Sequence, residues 1–162
     1  MPRALIVDDA APNRYLLEVL LRGNGYQVTS VGNGSEALEA ARRERPDLVI
    51  SDILMPVMDG FSLCRIWKQD PELRSVPFVF YTATYTDPKD EHLALSLGAD
   101  RFIIKPMEPA PFMQAIEEVI AEQRRHTLDS RAPEPSSEAG YLKRYSEALV
   151  RKLERKVRQL EG

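Results

Sequence analysis

The chain has one cysteine, one tryptophan and two histidines among its 162 residues. With Cys64 alone, neither an internal disulfide framework nor a cysteine-based zinc site is available. The longest apolar runs are of strand length, far short of the ~20 residues a bilayer-spanning helix needs. No charge dominates either: a net charge of -3 gives no global case for nucleic acid or an anionic membrane. The N-terminus enters a strand pattern at once, with no signal peptide in view. The expectation is a reducing cytosol. A composition 43% hydrophobic and 29% charged fits a soluble domain with a surplus of helix surface. The length suits one domain with some to spare.

Apolar runs and helical patterns alternate along the first three-quarters of the chain. Ala4-Leu5-Ile6-Val7 is continuously apolar, as a strand covered on both faces should be, and Asp8-Asp9 closes it. From Ala11 to Arg22, Tyr15, Leu16, Val19 and Leu20 recur at helical spacing, with Gly23 or Gly25 as the stop. Tyr26–Val31 reads as a second strand, Ala37, Leu38 and Ala41 as a second helix face, and Leu48-Val49-Ile50 as a strand running into Asp52. Phe61, Leu63, Cys64 and Trp67 mark a third helix, where Cys64 and Trp67 are expected to pack. Pro77–Tyr81 is the fourth strand, Pro88–Leu97 a short helix, and Arg101–Ile104 the fifth strand. Phe112, Ile116, Val119 and Ile120 form the face of a fifth helix. Five such units demand a parallel sheet with helices on both faces, a doubly wound α/β domain over residues 1–123.

The stretch that organises this domain is Ser51–Gly60. It delivers a carboxylate to a strand end and continues into a loop, where Pro56 fixes one backbone angle and Gly60 is expected to permit an unusual one. Four strand ends carry polar residues: Asp8-Asp9, Asp52, Thr82 and Lys105. Parallel strands bring such ends to one edge, where open α/β sheets hold their ligands. Crowded carboxylates need a cation, and oxygen-only donors suit a hard ion such as Mg²⁺. A lysine and a hydroxyl opposite them suit a phosphoryl group. Taken singly, these residues also have plainer roles. Asp8-Asp9 would serve as a helix cap, Lys105 as a surface charge, and Thr84 rivals Thr82 as the relevant hydroxyl. His92 and His126 are expected to face solvent.

In order and on these strand ends, Asp8-Asp9, Asp52 with Met55-Pro56-Val57-Met58-Asp59-Gly60, Thr82-Ala83 and Lys105-Pro106 resemble the response-regulator receiver domain of two-component signalling. The resemblance covers Arg3 to Gln123 and implies a flavodoxin-like (βα)5 fold. It implies that Asp52 accepts a phosphoryl group from a histidine kinase or histidine phosphotransfer protein. Asp9, Asp52 and the Leu54 carbonyl would hold Mg²⁺, with Asp8 acting mainly through water. Lys105 would pair with the phosphoryl oxygens, and the Lys105-Pro106 bond would be cis. Thr82 would swing toward the phosphate while Phe102 moves inward. Two departures stand out. Phe102 lacks the hydroxyl of a switch tyrosine, and apolar Leu54 stands where many members carry a polar side chain, which is expected to slow hydrolysis of the acyl phosphate. Two other functions stay open on the sequence. One is a phosphorylation-independent adaptor; the other is an aspartyl-nucleophile phosphatase, although Leu54 stands where such hydrolases carry a second aspartate.

Residues 124–140, with Pro133, Pro135 and Ser136-Ser137, read as a linker. Within 141–162, Val150, Leu153, Val157 and Leu160 step by three, four and three, the seam of a coiled coil. Glu147/Arg151 and Glu154/Arg158 are i,i+4 pairs in the favourable order. The expectation is an extended C-terminal helix that makes a homodimer through residues 141–161, or that packs back on its own domain. The heptad pattern is unexhausted at Gly162, which suggests a signalling coiled coil cut short before an output module. No DNA-binding or catalytic output is expected within this chain.

Overall fold

The computed structural model describes residues 2–84 and 87–129, with side chains described as far as residue 125. Strands and helices alternate: β1 (Arg3–Val7), α1 (Ala11–Gly23), β2 (Gln27–Val31), α2 (Gly34–Arg43), β3 (Leu48–Ser51), α3 (Gly60–Gln69), β4 (Phe78–Thr82), α4 (Pro88–Ser96), β5 (Arg101–Ile104) and α5 (Pro109–Asp129). Every strand pairing is parallel, in the order β2-β1-β3-β4-β5. This is the doubly wound α/β fold that the sequence leads one to expect. The order reverses between β1 and β3, where Val7 pairs with Ser51, and ligand crevices form at such switch points.

Because strand side chains alternate, each strand feeds two cores. Ala4, Ile6, Leu48, Ile50, Val79 and Ile103 face α1 and α5, whose Leu17, Leu21, Phe112 and Ile116 close that side. Leu5, Val7, Val49, Phe78 and Phe80 face α2, α3 and α4. Trp67 and Cys64 are fully buried there, as expected, and burial pushes the Cys64 thiol pKa up. His92 is exposed, also as expected.

Three local expectations change. The core face of α1 is Leu17 and Leu21, whereas Tyr15, Leu16 and Val19 are 64%, 67% and 53% exposed. Between Tyr15 and Leu21 only Glu18 is polar, so several stripes fit the helical period and packing chooses among them. The second strand starts at Gln27, with Tyr26 buried in the turn before it. Helix α5 continues to Asp129 and so enters the stretch whose composition reads as a linker. The heptad seam at 141–161 lies outside the described residues, as does the side chain of His126.

Candidate functional site

The register of the central strands builds the site. Val7 pairs with Ser51, and the Asp52 amide donates to the Val7 carbonyl at 2.9 Å, so Asp8 and Asp52 lie side by side one step further on. On the far side of β4, Thr82 pairs with Ile104, and the Lys105 amide donates to the Thr82 carbonyl at 2.9 Å. Asp8, Asp52 and Lys105 continue the alternation of Ile6, Ile50 and Ile103, so all three emerge on the α1/α5 side of the edge.

There they converge. The Lys105 Nζ lies 2.8 Å from Asp8 Oδ2 and 3.2 Å from Asp52 Oδ2. The other oxygen of each carboxylate is held by backbone: Asp8 Oδ1 accepts from the Ala10 amide at 2.9 Å, and Asp52 Oδ1 from the Ile53 amide at 2.7 Å. Asp8 is 2% exposed, whereas the Asp52 side chain keeps 13% of its surface open. Asp52 is thus oriented and still reachable. Burial alone would lower the pKa of Lys105, but its hydrogen bonds to Asp8 and Asp52 and their charges outweigh burial and raise it. The lysine is a fixed cation in a nest of negative charge.

The loop after β3 corrects an expectation. The unusual backbone angle falls on Val57, with φ 69°, and Gly60 does not share it. The Met58 amide donates to the Pro56 carbonyl at 2.7 Å, closing a γ-turn of the strained sense around Val57. Gly60 is needed for space instead. A Cβ there would stand 2.3 Å from the Asp52 carbonyl oxygen and 2.8 Å from Ile53 Cα. Asp59 caps α3 by accepting from the Ser62 amide at 2.8 Å. Together these contacts pin the chain on both sides of the Asp52–Gly60 loop.

The remaining candidates fall into place unevenly. Asp8-Asp9 does not cap α1, whose N-cap is Ala10 without a side-chain bond. Asp9 is exposed and Leu54 half-buried. Among the described residues no three acidic, imidazole or thiol side chains gather in a metal-ligand cluster. Thr82 is fully buried and its hydroxyl accepts from the Thr84 amide at 3.2 Å, whereas Thr84 is exposed. That separates the two rival hydroxyls. Phe102 is half-buried, its ring 6.2 Å from that of Phe80, on the sheet face opposite Lys105. The Lys105-Pro106 bond is cis, as the resemblance implied. Two residues at this edge carry no motif signal. Arg14 donates to the Asp8 carbonyl at 2.5 Å, tying α1 to the end of β1. Tyr81 faces Lys105 from β4; strand alternation counted on two residues from Val79 would have flagged it.

Comparison with known proteins agrees with this architecture. Residues 4–117 match the family model described as the response regulator receiver domain. The DNA-binding response regulator MtrA of Mycolicibacterium paratuberculosis is 43% identical over 107 residues, 66% of this chain and 46% of that protein. The chain thus spans about half the length of the curated relatives it matches. Among solved structures, the signal receiver domain of a signal transduction histidine kinase from Syntrophus aciditrophicus is 34% identical. It covers 85% of this chain and 98% of its own, with a TM-score of 0.69. Chemotaxis response regulator CheY4 of Vibrio cholerae, 31% identical, covers 74% of this chain and 98% of its own, also with a TM-score of 0.69. A sheet switch point bearing two carboxylates and a lysine, in a sequence matched by that family over most of its described length, makes this chain a member of the response regulator receiver domain family, the phosphorylation-based signalling domain of two-component systems.

Proposed function

We propose that Asp52 is the phosphoacceptor and that its phosphorylation is the signal this chain relays. The observation that carries this reading is the convergence of Asp8 and Asp52 on the Lys105 ammonium. An Asp52 carboxylate oxygen attacks the phosphorus of a phosphohistidine. The P–N bond breaks, the imidazole leaves with the bonding pair and takes up a proton, and an acyl phosphate remains on Asp52. Lys105 exchanges its Asp52 contact for a phosphoryl oxygen and offsets the added charge. The protein is the product of its own chemistry, with no separate enzymatic output assigned to this chain.

Asp9, Asp52 and the Leu54 carbonyl would hold Mg²⁺, with Asp8 acting through water. The donor set is oxygen throughout, which fits a hard divalent cation. Such an ion supplies charge stabilisation to the transferring phosphoryl group. Thr82 then turns its buried hydroxyl toward the phosphoryl group, and Phe102, half-buried beside Phe80, moves inward.

The histidine donor docks on the strand-end edge. This is supported by exposed apolar side chains at the edge, Val57 at 84% exposure and Ile104 and Met107 beside Lys105, with Tyr15, Leu16 and Val19 exposed further along α1. The output is a homodimer through residues 141–161, outside the described residues, whose arrangement depends on Asp52. No nucleic-acid contact is assigned to this chain; DNA binding belongs to the name of the mycobacterial relative, of which 46% is matched. The location is cytoplasmic, and among the described residues no helix is long and apolar enough to cross a membrane.

The test is intact mass and light scattering on the purified chain with Mg²⁺, before and after a small-molecule phosphodonor, alongside Asp52→Ala. Uptake of one phosphoryl group by the wild type and none by the variant is expected. Equal uptake by both would move the phosphoacceptor elsewhere. A monomer unaffected by confirmed phosphorylation would remove the dimer from the proposal.

A further inference from the structure

Tyr81 lies next to Thr82 on β4 but points to the opposite face of the sheet, toward α5, where its ring centroid is 4.9 Å from that of Phe112. From this position it reaches both residues that flank Pro106. The Lys105 Nζ stands over the ring, 5.4 Å from its centroid. The Tyr81 hydroxyl accepts a hydrogen bond from the Met107 amide at 3.2 Å. Packing against Phe112 does not require either contact: a leucine would cover that ring but would offer no π face and no acceptor. An ammonium over an aromatic face is attracted by the ring quadrupole, more strongly once it has lost water, and the Lys105 side chain keeps only 14% of its exposure.

Lysine carries a flexible four-carbon stem, and holding it in one geometry costs rotamer entropy. Asp8 and Asp52 draw the ammonium from one side. When a phosphoryl group arrives, the ammonium has to exchange an Asp52 oxygen for a phosphoryl oxygen without swinging into solvent. The Tyr81 ring, on the strand between β5 and β3 with its centroid 5.4 Å from the ammonium, limits that movement. We propose that Tyr81 is a positioning residue for phosphoryl uptake: its ring holds the Lys105 ammonium at the Asp8–Asp52 pair, and its hydroxyl fixes the chain after Pro106. This rests on Asp52 being the phosphoacceptor.

The test compares Tyr81→Phe, which keeps the ring, with Tyr81→Leu, which removes ring and hydroxyl. Two readouts are taken on the full chain. One is the rate of phosphoryl uptake from a small-molecule phosphodonor with Mg²⁺. The other, independent of activity, is NMR: the ring-current shift of the Lys105 ε-methylene and hydrogen exchange at the Met107 amide. Tyr81→Leu is expected to lose about tenfold in uptake rate, the scale of a partly desolvated cation–π contact, and to lose the ring-current shift. Tyr81→Phe should restore the rate to within about twofold, keep the shift, and speed exchange only at Met107. Equal losses in both variants would refute the role of the ring. So would a Tyr81→Leu protein with wild-type uptake, or a wild-type Lys105 methylene with no ring-current shift. Should Tyr81→Leu not fold, the wild-type shift and the Phe variant's rate and Met107 exchange decide the matter. Should the wild type take up no phosphoryl group, the phosphoacceptor reading fails, and the NMR readouts alone judge Tyr81.

Discussion

Replacing Gly60 by alanine tests whether the approach of α3 to the phosphoacceptor loop is as close as its geometry implies. The added Cβ would meet the Asp52 carbonyl oxygen at 2.3 Å, Ile53 Cα at 2.8 Å and the Phe80 ring at 3.0 Å. Optimal carbon contacts lie at about 3.5–4.0 Å. Two of the three obstacles are backbone, and that backbone is tied down: the Gly60 amide donates to the Ile53 carbonyl at 2.7 Å, and the Asp52 amide to Val7. Relief therefore requires α3 or the Asp52–Ile53 peptide to shift. Overpacking of this kind costs about 1–3 kcal/mol or more, and alanine returns under about 1 kcal/mol through the unfolded chain and helix propensity. The net expectation is a loss of about 2 kcal/mol in urea unfolding, with m unchanged. Gly23→Ala is the control, since nothing lies within 4 Å of its Cβ position. It should be neutral or stabilising by up to about 1 kcal/mol. A Gly60→Ala protein within about 0.5 kcal/mol of wild type would refute the steric argument.

Other perturbations separate the parts of the site. Val57→Gly should raise stability by about 0.5–1 kcal/mol, because relief at φ 69° exceeds the added backbone entropy and an 84%-exposed side chain gives up little packing; a destabilised variant in chemical unfolding would argue against strain there. Lys105→Met leaves buried Asp8 beside Asp52 without its cation and should cost about 2–3 kcal/mol near pH 7. The folded pKa of Lys105 is raised above the ordinary 10.5, so its stabilisation is complete below that value and is lost as pH rises through the folded pKa. The gap between wild type and Lys105→Met should therefore close in alkaline unfolding series, Tyr26 adding the same alkaline loss to both proteins; a gap constant to high pH would contradict the pairing. Leu54→Asn should speed loss of the acyl phosphate by about 3- to 10-fold, a fraction of what a positioned base supplies; an unchanged rate of mass loss would dismiss Leu54 as a barrier to water.

Much of this protein was legible locally. Short continuous apolar runs, glycine and proline stops and regular alternation were enough for five parallel strands, and they marked Asp8, Asp52, Thr82 and Lys105 as strand-end residues. These features depend on neighbours within a few positions, and so they survive in a linear reading. What depended on packing did not. The six apolar residues between Tyr15 and Leu21 allow several helix faces, and contact with the sheet buries Leu17 and Leu21 while leaving a patch outside. The positive φ falls on Val57, whereas Gly60 is required for the close approach of the Asp52 and Ile53 backbone. Above all, sequence order puts Asp8 and Lys105 97 residues apart, and nothing in it measures a distance. Register across β1, β3, β4 and β5 brings Lys105 Nζ to 2.8 Å from Asp8, and strand alternation turns Tyr81 to the same side. Local chemistry chose which residues reach the edge; long-range pairing, set by how both cores fill, chose which of them touch.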